Sequence, residues 1–143
     1  MAAQEATTVG FNFNAALIDP SVVNSTSSHV GMGTYINAGC IIGAEVSIAD
    51  HVVINRGASI GHHVQIEKFV SIGPSAVLSG FAVVGCGAMV GAGAIVLPKI
   101  KIGAFAVVGA GAVVTHDVPE QAKVVGNPAR VTSHGLSRFE IPN

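Results

Sequence analysis

From residue 18 onward, aliphatic side chains return every six residues. The positions run Ile18, Asn24, Val30, Ile36 and so on through Val108 and Val114, and sixteen of the seventeen are aliphatic. Ile, Leu and Val make up 39 of 143 residues, so chance would place about five of them on this register. Four residues further into each hexad lies a second series, Val22, Ser28, Thr34, Cys40 and on to Val118. Ten of its seventeen members are Ala, Ser, Thr or Cys, and six are Val. The residue directly after the aliphatic is Gly eight times, at 31, 43, 61, 73, 85, 91, 103 and 109, which fits a recurring bend that a side chain would crowd. A period of six matches neither the 3.6 of a helix nor the two of a simple strand. It matches short strands joined by tight corners in a parallel β-helix. The register predicts one all-β domain over residues 18–119, with a lead-in at 1–17 and a C-terminal segment at 120–143.

One stretch competes with this reading. Residues 69–98 carry no charge, and LSGFAVVGCGAMVGAGAIVL contains Gly87 and Gly91 in GxxxG spacing, the composition of a membrane helix with a packing face. A membrane helix has no reason to keep a six-residue register into charged flanks, so the window reads as the middle of the solenoid. The glycines of VGCGAMVGAG offer only a weak phosphate-loop match, because no strand, following helix and downstream acid frame them.

Composition agrees with a repetitive β structure: 50% hydrophobic residues, 10% charged and 5% aromatic, so the apolar content is aliphatic. Net charge is −1 with no basic run, which argues against nucleic acid as a partner. The opening MAAQEATTVGFNFNAALIDP has no basic region followed by an apolar core, so a cytoplasmic location is expected and no membrane partner. Cys40 and Cys86 are the only cysteines, without metal-type spacing, and are expected to be free thiols.

The hexads, the segment INRGASIGHHVQIEKFVSIGPSAVLSG and the ending VVTHDVPEQAKVVGNPARV together resemble the hexapeptide-repeat acyltransferases. Over residues 17–131 the likeness is to the bacterial sugar acyltransferases, which include sialic acid O-acetyltransferases and UDP-amino-sugar N-acetyltransferases. This resemblance implies a left-handed parallel β-helix of about six coils with a short C-terminal tail. Three hexads would make each triangular coil, so residue n would stack under n+18, one strand spacing of about 4.8 Å away. It implies a homotrimer with active sites between subunits, and acetyl-CoA as donor to an amine or hydroxyl of a sugar or sugar nucleotide. Such relatives carry an N-terminal nucleotide-binding domain that holds the acceptor. Here FNFNAALIDPSVV begins almost at once with what resembles the linker into the solenoid, so that domain is not expected. The acceptor is then smaller, or a separate protein presents it.

Within IGHHVQ the resemblance puts His62 in the place of the catalytic base, and imidazole suits proton transfer near neutral pH. Attack on the thioester would be direct, because no Ser sits in a nucleophile-elbow motif. His63 departs from the family, which has an acid directly after the base. Its stacking partner one coil below is Glu45, expected to pair with it and restore negative charge. One coil above His62 is Gly80, whose N–H could face the developing oxyanion. In the family, Gly80 and Ser71 match positions that contact acetyl-CoA, and Asn55 matches an Asn near the acceptor. Lys99, Lys101 and Arg130 match the region where the CoA arm runs.

Each assignment has an alternative at this stage. His62 and His63 also read as polar corner residues, Gly80 as a structural glycine, Asn55 as one rung of an asparagine ladder over Asn37, and the cations as solubilising charge. Asp50 and Lys68, also 18 apart, are explained by an exposed ion pair. No metal is expected: carbonic anhydrases of this fold use three histidines, but residues 64–115 contain none. A non-catalytic solenoid acting as an interaction module stays open beside the enzyme.

Overall fold

The computed structural model describes residues 15–135, wound as a left-handed parallel β-helix of six turns. The seventeen strands from Leu17–Ile18 to Val113–Val114 are two residues long, and they stack into three flat faces. The first face holds Leu17–Ile18, Tyr35–Ile36, Val53–Ile54, Ser71–Ile72, Met89–Val90 and Val107–Val108; the second runs from Val23–Asn24 to Val113–Val114, and the third from His29–Val30 to Lys101–Ile102. Pairing advances by 18 residues at each turn, as in Ile54↔Ile72, Ile60↔Leu78 and Ile66↔Val84. From Tyr35–Ile36 onward the second residue of each such strand is buried, and Ile36, Ile48, Ile54, Ile72 and Leu78 are fully so, whereas Asn24 in the first turn is exposed. The small-residue register lines the inside of each corner, where Ala58, Ala76, Ala82, Ala88 and Ala94 are also fully buried.

Two details of the hexad differ from the expectation. The glycine after each aliphatic does not make the bend; it is where adjacent turns touch. A Cβ on Gly73 would lie 2.6 Å from the Ala92 nitrogen and 2.7 Å from the Gly91 carbonyl carbon, both backbone atoms of the turn above. The bend lies two residues later, where the backbone enters the left-handed region at Glu45, His51, His63, Phe69, Ser75, Phe81, Lys99, Phe105 and Gln121 as well as at several glycines. Side chains are admitted there because the corner projects into solvent, although an L-residue in this conformation costs about 1–2 kcal/mol. Gly73→Ala is therefore expected to lower stability by about 1–3 kcal/mol through overpacking against backbone that cannot yield. Denaturant unfolding would measure it, with the exposed Ala110→Ser as a neutral control.

The second difference is at the C-terminal end. Beyond Val114 the spacing falls from 18 to 16, giving Ile102↔Val118 and Val108↔Val124. Val118 is thus a wall residue and not the corner residue that an unbroken register to 119 makes it. His116 and Asp117 form the shortened corner, where the Asp117 carboxylate accepts the Lys101 N–H at 2.8 Å. In the regular turns that N–H meets a backbone carbonyl, as Val83 N–H meets Ile100 O at 2.9 Å. The solenoid then continues past 119 through Lys123–Val125, and Arg130–Ser133 turns back antiparallel on that strand, covering the edge it leaves. The last eight residues of the 120–143 segment, 136–143, and most of the 1–17 lead-in lie outside the described residues.

The three faces differ in chemistry. Outward positions are Leu17, Tyr35, Val53, Ser71, Met89 and Val107 on the first and Val23, Ile41, Ser59, Val77, Ile95 and Val113 on the second, so each of these faces is apolar but for one serine, against His29, Ser47, Gln65, Val83 and Lys101 on the third. Leu17, Val23 and Ile41 are more than half exposed. The edge between the two apolar faces has only Gly or Ser at its bend positions from Ser21 to Gly111. No helix of the described residues is long and apolar enough to cross a membrane.

Candidate active site

His62 lies on the edge between the second and third faces. Ile60, buried at the end of its strand, and Val64, buried after the corner, fix the chain on both sides. Between them the bend is tied to its neighbours: His63 N–H donates to Ala44 O at 2.9 Å, Phe81 N–H to His62 O at 3.0 Å, and Lys99 N–H to Gly80 O at 3.0 Å. The bend positions Glu45, His63, Phe81 and Lys99 form one exposed column, with His62 and Gly80 beside it.

Within this column the two imidazoles and Phe81 form a cluster. His63 stacks on Phe81 with centroids 4.7 Å apart and planes 13° apart, while His62 meets Phe81 edge-on at 5.3 Å and 88°. The Nδ1 atoms of His62 and His63 are 3.2 Å apart, within hydrogen-bond distance. The other side of the His62 ring lies on Gly80: a Cβ there would come within 2.8 Å of both Cε1 and Nε2. Glycine is needed at 80 for this ring position. The Gly80 N–H makes no hydrogen bond among the described residues. An exposed imidazole with one ring nitrogen tied back and the other lying over a glycine has the parts needed to take a proton, and the Gly80 N–H on the same corner is a donor left available for an oxyanion.

The remaining candidates do not join this cluster within one chain. Asn55 is on the edge between the first and second faces, where its Nδ2 donates to Ile72 O at 2.9 Å. It makes no ladder with Asn37, whose Oδ1 accepts the Ala38 N–H at 2.8 Å. Ser71 is a half-buried outward residue of the first face, between Val53 and Met89. Lys99 tops the His63 column two turns up, while Lys101 is exposed on the third face. Arg130 is in the closing hairpin, its Nη1 donating to Ala129 O at 2.9 Å. It rims a cavity of about 280 Å³ whose walls include Val114, His116, Asp117, Val124 and Val131.

The expected pairing of Glu45 with His63 is not formed. Stacking on Phe81 draws the His63 ring toward the turn above, away from Glu45 below, and the one ion pair among the described residues is Lys68–Asp50 at 3.5 Å. That pair is exposed and stacked, as its spacing implies. No group of three metal-ligating side chains comes together among the described residues. Both cysteines are free; Cys40 is buried, donates to Asn55 O at 3.0 Å, and has its thiol pushed up by burial, which removes it as a nucleophile. Phe81 and the cavity beside Arg130 went unnoticed in the sequence, although 63 + 18 marks Phe81 as the stacking partner of His63.

Residues 81–116 match the family model described as bacterial transferase hexapeptide (six repeats). The six-residue repeat of that match runs on through the turns on either side of it. Similar solved structures extend the likeness to nearly the whole hexapeptide solenoid. Perosamine N-acetyltransferase from Caulobacter crescentus, in complex with CoA and GDP-perosamine, is 36% identical with a TM-score of 0.86, covering 92% of this chain and 62% of that one. The acetyltransferase domain of PglB from Neisseria gonorrhoeae, in complex with acetyl coenzyme A, is 32% identical with a TM-score of 0.84, covering 90% of this chain and 62% of that one. WeeI from Acinetobacter baumannii is 27% identical with a TM-score of 0.69, covering 91% of this chain and 63% of that one. The hexapeptide chain thus spans less than two thirds of the length of each. No curated protein matched it.

Proposed function

We propose that this hexapeptide-repeat chain transfers the acetyl group of acetyl-CoA to the amino group of a nucleotide-linked sugar, with His62 as general base. The observation that carries this reading is the His62 ring, held on an exposed edge with Nε2 against Gly80, in a solenoid similar to acetyltransferases solved with CoA, acetyl coenzyme A and GDP-perosamine.

In this reaction the acceptor nitrogen attacks the thioester carbonyl carbon as His62 Nε2 takes a proton from that nitrogen. The Gly80 N–H donates to the carbonyl oxygen as it gains charge. The C–S bond then breaks, the amide remains on the sugar, and the proton held by His62 passes to the departing sulfur. A base of this kind contributes about 10²–10⁴-fold to the rate.

The separation of Asn55 and Ser71 from His62 within one chain supports a site shared between copies. His62 and Gly80 would come from one chain; Asn55 or Ser71 would come from another. Two apolar faces meeting at an edge of small residues suit a homotrimer in which those faces are covered. Lys99, Lys101 and Arg130 are the cations available to the phosphates of CoA. A protein or domain outside these residues presenting the acceptor belongs to the same proposal.

Thiol release from acetyl-CoA, followed with a panel of free amino sugars, UDP- and GDP-linked amino sugars and sialic acids, tests the reading. Release is expected with a nucleotide-linked amino sugar. Release only with a sialic acid would replace N-acetylation by O-acetylation. Failure of every acceptor together with no CoA binding by calorimetry would move the chain to a non-catalytic interaction module.

A further inference from the structure

We infer that His63 is a positioning residue that fixes the tautomer of His62 by accepting its Nδ1–H, so that Nε2 is left with the lone pair a base needs. The inference rests on the proposed acetyl transfer for its kinetic consequence, but its structural content does not.

The two Nδ1 atoms are 3.2 Å apart, and a hydrogen bond between them needs one N–H and one lone pair. Of the two ways to arrange this, one protonates His62 at Nδ1 and frees Nε2, the nitrogen that lies on Gly80. The other protonates His62 at Nε2 and abolishes the base. Phe81 stacks on the face of His63 and the bond to Ala44 O holds its backbone at φ 58°, so its Nδ1 is kept where it can accept, and only that direction leaves His62 able to act as the proposed base. An imidazole thus does, without charge, the orienting part of what an adjacent carboxylate would do.

Around the pair stand Glu45 one turn below, which forms no ion pair with it, the uncharged Phe81 above, and Lys99 two turns above.

Two substitutions separate orientation from structure. His63→Asn keeps an acceptor where Nδ1 stands, and His63→Gly removes it; both residues tolerate the left-handed backbone. Nitrogen-15 NMR of the full chain labelled at histidine, recorded at pH 8 without substrate, is expected to find His62 as the Nδ1–H tautomer in the native and Asn chains, and shifted toward Nε2–H in the Gly chain. In thiol-release kinetics the Gly chain should lose about 10- to 100-fold in kcat with KM little changed, and the Asn chain should recover most of it. A native His62 protonated at Nε2, or a tautomer unchanged by His63→Gly, overturns the inference. The expected tautomers in a chain that never releases thiol would instead overturn acetyl transfer and leave the dyad standing.

Discussion

Replacing His62 by alanine is expected to lower kcat by about 10²–10⁴-fold, which is roughly 3–5 kcal/mol of transition-state stabilisation. The fold should survive, because the His62 side chain is exposed and its corner is held by backbone hydrogen bonds that alanine keeps. An exposed substitution of this kind moves stability by no more than about 0.5 kcal/mol. Thiol release would measure the first effect and thermal unfolding the second, with calorimetric CoA binding as a check that the donor site persists. A His62→Ala chain with native turnover would return the histidines to polar corner residues.

The identity of the fold was legible because a repeat states the same thing many times. Aliphatic residues at 36, 48, 54, 72 and 78 need a common interior, and stacking by 18 delivers it at every turn. The break after Val114 was not legible for the same reason. Val118 suits both the corner series and the wall series, and only the turn made by His116 and Asp117 shows which it joins. The bend position was also hidden, since it admits Phe, His, Glu, Lys and Gln and so leaves no compositional mark.

The candidate site was legible where stacking alone decides and illegible where rotamers do. Counting 18 from His62 leads to Gly80, and the ring does lie on that glycine. Counting 18 back from His63 leads to Glu45, but an aromatic ring one turn up competes with a carboxylate one turn down. A stacked Phe81 contributes packing that needs no charge and no desolvation, whereas an exposed ion pair contributes little in water. Asn55 and Ser71 fall on other parts of the surface, which a reading along one chain cannot bring to His62.

Leu78→Ala is expected to produce the largest loss of stability, about 2–5 kcal/mol. Leu78 is fully buried in the middle of the second face, paired in register between Ile60 and Val96. Its neighbours above and below are held by backbone ladders, so they cannot close on the space its removal leaves. Position matters as much as size here, because in a solenoid each turn contacts only the turns beside it. A lesion at Leu78 weakens two inter-turn contacts and separates the chain into shorter stacks, each with fewer turns to hold it. Val22, half-buried in the first turn, has a turn on one side only, so Val22→Ala should cost less. Denaturant unfolding of the two variants should therefore give a markedly lower midpoint for Leu78→Ala than for Val22→Ala. Equal losses would mean that the stack does not transmit stability between turns and that each corner stands on its own contacts.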